Sequence, residues 1–319
     1  MEGVLQIPGS FIEANTEFSE LVALLKAAFG KNELVVPRRS HHDFPNPVTN
    51  KDTTLLLMPA WEPGKRAGVK VMSVNPGNSE FDLPAVQGSY LYLDAVTGVL
   101  KSIIEAKSLT NKRTAAASAL ASSLLSREDA TTLFMIGTGA LSKDLIRAHA
   151  SVRTISNVLI WGRNPAKAKA VATSLSEENF KTTAIENPED GFAKADIISC
   201  ATLSKTPLVL GKYLQPGQHI DLVGAYRPDM READDETISR SKVFLDTFDS
   251  GLRESGDIVI PLQNGILDKE AIGGDLFSLC AARGSTRTSA EEITLFKSVG
   301  HALEDLVAAS YYHEKFENA

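Results

Sequence analysis

The stretch Met135-Ile136-Gly137-Thr138-Gly139-Ala140-Leu141-Ser142 continues an apolar run, TLFMIG (132–137), and leads into a helical pattern, ALSKDLIRAHA. It carries G-x-G, with Ser142 where the third glycine of G-x-G-x-x-G would stand. Gly137 permits a tight turn and Gly139 lets the backbone approach a pyrophosphate, while the amides opening the next helix supply donors and a positive dipole end. A bare G-x-G marks many tight turns, so its setting decides. Strand, loop and helix are followed by a second strand, NVLIWG (157–162), and a second helix, PAKAKAVATSL. The alternation runs on through KTTAI, a short helix at 188–194, DIISCAT (196–202) and HIDLVGA (219–225). Continuous apolar strands alternating with helices predict an α/β fold with a doubly wound parallel sheet of the Rossmann type. Gly137, Thr138, Gly139, Ala140, Leu141 and Ser142 form its predicted phosphate-binding turn.

The end of the second strand selects the nucleotide. An NAD site carries an acid there to bond the ribose 2′-hydroxyl. Here the strand ends Trp161-Gly162-Arg163-Asn164, with no acid and one guanidinium. Arginine suits a 2′-phosphate through charge-assisted, bidentate hydrogen bonds, and Lys167 adds positive charge. Asn164 is the predicted N-cap of the helix begun by Pro165. NADP(H) is therefore predicted over NAD(H); an Arg163 that is only a solvated loop cation is the competing reading.

Outside this region the rhythm differs. Residues 18–29 space apolar side chains at helical intervals and stop at Gly30, a predicted terminator. TTLLLMPAW (53–61), GVKVMSV (68–74) and SYLYLDAVTGVLKSII (89–104) are extended runs, the last folded back at Val96-Thr97-Gly98. With no helices between them they predict a mostly antiparallel sheet. KSLTNKRTAAASALASSLL (107–125) is a strong helix former. ITLFKSVGHALEDLVAASYY (293–312) predicts a strand, a turn at Gly300 and a long helix that crosses back to the N-terminal domain. The expected domains are 1–115 with 295–319, and 116–294, with a cleft where the chain crosses twice.

Hydrophobic residues make up 43% and charged residues 23% of the 319, the balance of a folded globular protein. A net charge of −7 argues against nucleic acid as a partner, although a local basic pocket can still take a small anion. Only Cys200 and Cys280 are present, without metal spacing, and they suit a reducing compartment. No histidine pair has metal-ligand spacing either, so no metal is expected. Met1–Ser10 shows no signal-peptide pattern, and no apolar stretch approaches the ~20 residues that span a bilayer. A cytoplasmic protein with a small-molecule partner is expected.

VPRRSHHDFP (36–45), GVKVMSVNP (68–76), NKRTAAASA (111–119), MIGTGALSK (135–143), VGAYRPDMRE (223–232) and LFKSVGHALED (295–305) together resemble the ornithine cyclodeaminase/mu-crystallin family along nearly the whole chain. The resemblance implies a homodimer with an α+β dimerisation and substrate domain built from both chain ends. It implies that Arg39, Lys70 and Arg113 grip an α-carboxylate, with Lys70 and Arg113 catalytic. Gln87, Tyr226 and His42 are implied to shape the pocket. Ala201, Thr202, Val223, Gly224, Ser298 and Gly300 are implied to border the cofactor, and His301 to lie near the nicotinamide. Paired cations are also what a carboxylate in a partly dry cleft requires. Lys70 stands out because Val69 and Val71 flank it, whereas Arg39 and Arg113 read equally as solvated charges.

One departure bears on the reaction. Deaminating and cyclising members carry an acid two positions after the glycine matching Gly224, where this chain has Tyr226. A phenol with a reference pKa near ~10 is a poor carboxylate substitute at neutral pH, and Asp229 lies three residues further on. The wording Pro37-Arg38-Arg39-Ser40-His41-His42 resembles the 1-pyrroline-2-carboxylate reductase branch. Reduction of a cyclic ketimine carboxylate, five- or six-membered, to L-proline or L-pipecolate is the expected activity. A deaminating dehydrogenase or cyclodeaminase, and a mu-crystallin-like NADPH-dependent binding protein, remain the alternatives.

Overall fold

The computed structural model describes residues 3–282 and 286–319. The chain divides into two units, one taking Met1–Glu17, Lys31–Arg113 and Ala302–Ala319, the other Phe18–Gly30 and Thr114–His301.

The first unit is built on β1 (Leu5–Ile7), β2 (Ser40–Phe44), β3 (Thr53–Glu62), β4 (Arg66–Val74), β5 (Val86–Asp94) and β6 (Leu100–Glu105), in the order β1-β6-β5-β4-β3-β2. All pairings are antiparallel except β1 with β6. The β5–β6 reversal falls where the sequence places it: Asp94 Oδ1 accepts the Val96 and Thr97 amides at 2.9 and 2.8 Å, and Gly98 takes φ +74°. Because side chains alternate along a strand, the sheet sorts its residues onto two faces. Ile7, Ile104, Tyr90, Lys70 and Met58 form one buried cross-strand row. The returning helix Ala302–Glu317 packs on β1, β3, β4 and β5 and buries every residue from Ala302 to His313. On the opposite face Leu55, Leu57, Val69, Val71, Leu91 and Ile103 stay half-buried.

The second unit carries β7 (Thr132–Ile136), β8 (Asn157–Trp161), β9 (Lys181–Ala184), β10 (Ile197–Cys200), β11 (His219–Leu222), β12 (Lys242–Leu245), β13 (Gly274–Asp275) and β14 (Thr294–Lys297). Their order is β13-β12-β14-β11-β10-β7-β8-β9, every pair parallel. The winding reverses direction between β7 and β10, the switch point at which such sheets bind ligands beyond their carboxyl ends. Phe134, Ile136, Ile198, Cys200, Ile220, Leu222, Val243 and Leu295 fill its core.

Three sequence expectations are corrected. The helix begun at Phe18 passes through Gly30 to Lys31, and Asn32 at φ +51° supplies the left-handed residue that ends it. Residues 295–297, expected with the chain-end domain, belong to β14 between β11 and β12, so the chain leaves the parallel sheet after Gly300. β12, β13 and the helices Asp235–Arg240, Phe248–Glu254, Gly256–Gln263 and Leu276–Ala281 carried no periodicity long enough to be read. Among the described residues no helix is long and apolar enough to cross a membrane.

Candidate functional site

The phosphate turn has the geometry that its glycines imply. Gly137 sits at φ +124°, and a Cβ there would stand 2.6 Å from the Ala201 carbonyl oxygen. At Gly139 a Cβ would meet nothing within 4 Å, so the backbone is open to an approaching diphosphate. Ser142 turns inward: fully buried, its hydroxyl donates to the Gly137 carbonyl at 3.0 Å and closes the loop. The helix Ser142–Val152 then starts at the carboxyl end of β7. A Cβ at Gly162 would touch the Thr138 methyl at 2.7 Å, so the end of β8 lies against the turn. Arg163 follows at once, exposed, and Asn164 caps its helix by accepting the Lys167 amide at 3.2 Å. Lys167 is exposed as well.

The other predicted cofactor neighbours lie in loops that leave β10, β11 and β14, and two buried acids order those loops. Glu232 takes the Thr202 amide at 2.7 Å and its hydroxyl at 3.0 Å on Oε1, and the Gly224 and Ala225 amides at 2.7 and 3.0 Å on Oε2. Val223 and Gly224 are thereby fixed at the end of β11. Asp246 Oδ2 accepts the Val299 and Gly300 amides, each at 2.7 Å, and the Ser298 hydroxyl at 3.3 Å. His301 packs its ring against Phe29 and Phe277, at centroid distances of 6.4 and 5.9 Å. Tyr226 is 48% exposed. Asp229 is bound outward to Arg227 at 2.9 Å and to Lys205 at 2.8 Å, so it does not stand in for the acid that Tyr226 replaces. Both cysteines are free thiols; burial pushes Cys280 up to about 12 and raises Cys200 well above its ordinary value, which leaves neither nucleophilic.

In the first unit Lys70, Arg113, Glu304 and Asp305 form one buried cluster. Lys70 Nζ lies 2.8 Å from Asp305 Oδ2, Arg113 Nε 2.9 Å from Asp305 Oδ1, and Arg113 NH1 2.6 Å from Glu304 Oε2. Both acids are fully buried. Arg39 is near enough to act electrostatically on Lys70 and Asp305. Burial pushes the Lys70 ammonium down to about 8, outweighing the pull of Asp305. Burial raises the Asp305 carboxyl, but Lys70 and Arg113 together hold it below its ordinary range. Arg39 thus lies close to Lys70 and Arg113, and Lys70 and Arg113 carry internal partners in Asp305 and Glu304.

Gln87 and His42 do not join them. His42 pairs with Leu55, Leu55 with Ser73 and Ser73 with Gln87, a row on the face away from Lys70, and it is His41 that shares the Lys70 face. Gln87 is exposed there, beside a 390 Å³ hollow lined by Val71, Ser73, Ser89 and Leu91. Neighbouring strand positions face opposite ways, and one residue of register separates the two outcomes. Glu304 and Asp305 went unread, although two adjacent acids inside an alanine- and leucine-rich helix were a signal. Glu232, Asp246 and Asp257 were likewise missed, as was Lys297, which sits in an apolar strand as Lys70 does. Among the described residues no group of His, Cys, Asp and Glu is arranged to hold a metal ion.

The model of the ornithine cyclodeaminase/mu-crystallin family matches residues 9–319. The chain is 39% identical to a Delta(1)-pyrroline-2-carboxylate reductase of Colwellia psychrerythraea, over 95% of this chain and 96% of that protein. A protein of the same name from Paracoccus denitrificans is 36% identical over 81% and 82%. Among solved structures, that of Thermococcus litoralis Delta(1)-pyrroline-2-carboxylate reductase in complex with NADH and L-proline superposes with a TM-score of 0.90 at 33% identity, covering 99% of this chain and 98% of that one.

The buried cluster makes its own demand on stability. Lys70→Met would remove the ammonium from Asp305, and breaking a buried pair from one side costs about 3 kcal/mol. The expected outcome is a clearly lowered urea midpoint; an unchanged one would show that the pair does not secure the helix Ala302–Glu317.

Proposed function

The chain belongs to the ornithine cyclodeaminase/mu-crystallin family, and on that premise we propose that it is an NAD(P)H-dependent oxidoreductase acting on C=N bonds, which reduces a cyclic ketimine carboxylate. The substrate of this reading is 1-pyrroline-2-carboxylate, its six-membered homologue, or both. The carrying observation is the pair of buried cations Lys70 and Arg113, with half-buried Arg39 close enough to act on them, set against Glu304 and Asp305. Cations gathered where the dielectric is low attract a carboxylate, and guanidinium forks match its two oxygens.

A bound dinucleotide supplies the hydride. The chain's own groups do the rest. Amides of the Gly137–Ser142 turn hold the diphosphate, and Arg163 takes the 2′-phosphate, which makes NADPH the preferred donor. Arg39 and Arg113 orient the carboxylate. Lys70, protonated at Nζ, hydrogen-bonds it or passes a proton to the ring nitrogen. Deamination is disfavoured because Tyr226 stands at the acid position and Asp229 is tied to Arg227 and Lys205. The half-buried apolar face of the six-stranded sheet is read as the contact with a second copy, as the family resemblance implies.

Loss of reduced-nicotinamide absorbance with both ring sizes and both nucleotides tests the reading. Turnover of at least one cyclic imine is expected, and none would sink it. NADPH should exceed NADH in kcat/KM, and Arg163→Ala should raise the NADPH KM about tenfold while leaving that for NADH nearly unchanged. Comparable use of both nucleotides by the wild type would remove Arg163 from the site. Since Lys70 is pushed down to about 8, its charge is present below that pH and lost above it. Activity should therefore fall above about pH 8, and Lys70→Arg, charged throughout, should abolish that break at a lower rate. Persistence of the break in Lys70→Arg would assign it elsewhere. Sedimentation should give about twice the chain's 34.3 kDa, and a monomer would refute the self-association.

A further inference from the structure

Within the second unit lies a polar cluster that this reaction does not use. Glu232, Asp257 and Lys297 are all fully buried. Lys297 Nζ, on β14, lies 3.1 Å from Asp257 Oδ2 and 3.6 Å from Glu232 Oε2. Asp257 Oδ1 in turn accepts the Glu232 and Ala233 amides at 2.7 and 3.0 Å. The Glu232 backbone is therefore held by Asp257, and its side chain is free to reach outward to other loops.

It reaches two. Oε1 takes both Thr202 donors and Oε2 takes the Gly224 and Ala225 amides, four donors on two oxygens. Only an ionised carboxylate offers that many acceptor sites with no donor of its own. The loops it joins are in contact, since a Cβ on Gly224 would overlap the Thr202 backbone. The first loop also abuts the phosphate turn, because Gly137 approaches the Ala201 carbonyl. A continuous line of backbone thus runs from the turn through Ala201 and Thr202 to Gly224, along the carboxyl ends of β7, β10 and β11. That is the edge on which dinucleotides rest in such sheets.

We propose that Glu232 is a positioning residue for the nicotinamide nucleotide: its carboxylate locks the 201–202 and 224–225 loops to each other and so fixes the surface against which the nucleotide lies. The inference rests on the nucleotide reading above and adds to it a group that touches neither nucleotide nor imine. Asp257 and Lys297 anchor it to β14, so the lock is carried by the sheet itself.

Glu232→Gln is the test. It keeps the volume and one acceptor oxygen, but its amide nitrogen must face the N–H groups of one loop, donor against donor. Titration of the full chain with NADH, followed by nicotinamide fluorescence well below the melting temperature, should show Kd raised about tenfold to a hundredfold, the loss of hydrogen bonds to a charged acceptor. At saturating nucleotide kcat should fall, while the imine KM should stay within about twofold of wild type, since Arg39, Lys70 and Arg113 are untouched. A purely structural Glu232 would lower the melting temperature and leave NADH Kd and kcat of the folded protein unchanged, and that result overturns the proposal. Should Glu232→Gln not accumulate as folded protein, Asp257→Ala, which removes the oxygen that accepts the Glu232 and Ala233 amides, should weaken NADH binding in the same direction. Unchanged affinity there would overturn it equally. A wild type that binds NADH but reduces no cyclic imine would end the reductase reading and still leave the titration to decide Glu232.

Discussion

Lys70 and Arg113 are buried, and taking such cations out of water costs several kcal/mol each unless opposite charge meets them at close range. Glu304 and Asp305 meet them, at 2.6 to 2.9 Å, from a helix 191 residues beyond Arg113 and 235 beyond Lys70. Much else in the first unit follows from that requirement. The helix must lie on the sheet in one rotational setting, because a shift of one residue turns its side chains by about 100° and aims both acids elsewhere. Its alanines and Ser310 let it approach the strands, where it meets the row Met58, Lys70, Tyr90 and Ile104. The residues proposed to hold substrate are thus part of what attaches the last helix, and the pocket cannot form without that helix docked.

The second unit applies the same device to loops instead of a helix. Glu232 and Asp246 each collect backbone amides from segments that leave the parallel strands, and neither is exposed. Loops at the carboxyl edge of such a sheet are short of side chains that could pack, since they must stay open to a ligand. Buried carboxylates give them rigidity without filling that space, at the cost of needing a counter-charge such as Lys297.

The parallel sheet could be read from the chain because its strands are continuous apolar runs and its phosphate turn depends on glycine conformation, both local properties. The antiparallel sheet could be read for a similar reason: consecutive strands with no helix between them, and a Val96-Thr97-Gly98 reversal that Asp94 and Gly98 make locally. What escaped was set by distant contacts. β14 reads as a strand, but its place between β11 and β12 is fixed by pairing alone and leaves no mark in the local sequence. The cations of the site were named, but the acids that neutralise them were not, because a pairing across that many residues leaves no mark in a window of sequence. His42 and Gln87 failed on register: residue type and neighbourhood were plausible, and strand alternation sent them to the other face.

The interleaving of the chain constrains how it comes to be made. β1 pairs with β6, and the sheet they belong to is covered by residues 302–317. During synthesis the parallel sheet can be complete once Lys297 has emerged, whereas the six-stranded sheet must wait for the final segment while its lysine-bearing face stands open to water. Closing contacts of such long sequence separation is slow, and an open apolar surface in the interval invites association with other chains. Residues 302–317 therefore decide when the six-stranded sheet stops being a hazard, and a nascent chain halted just short of them would carry one finished sheet and one sticky one.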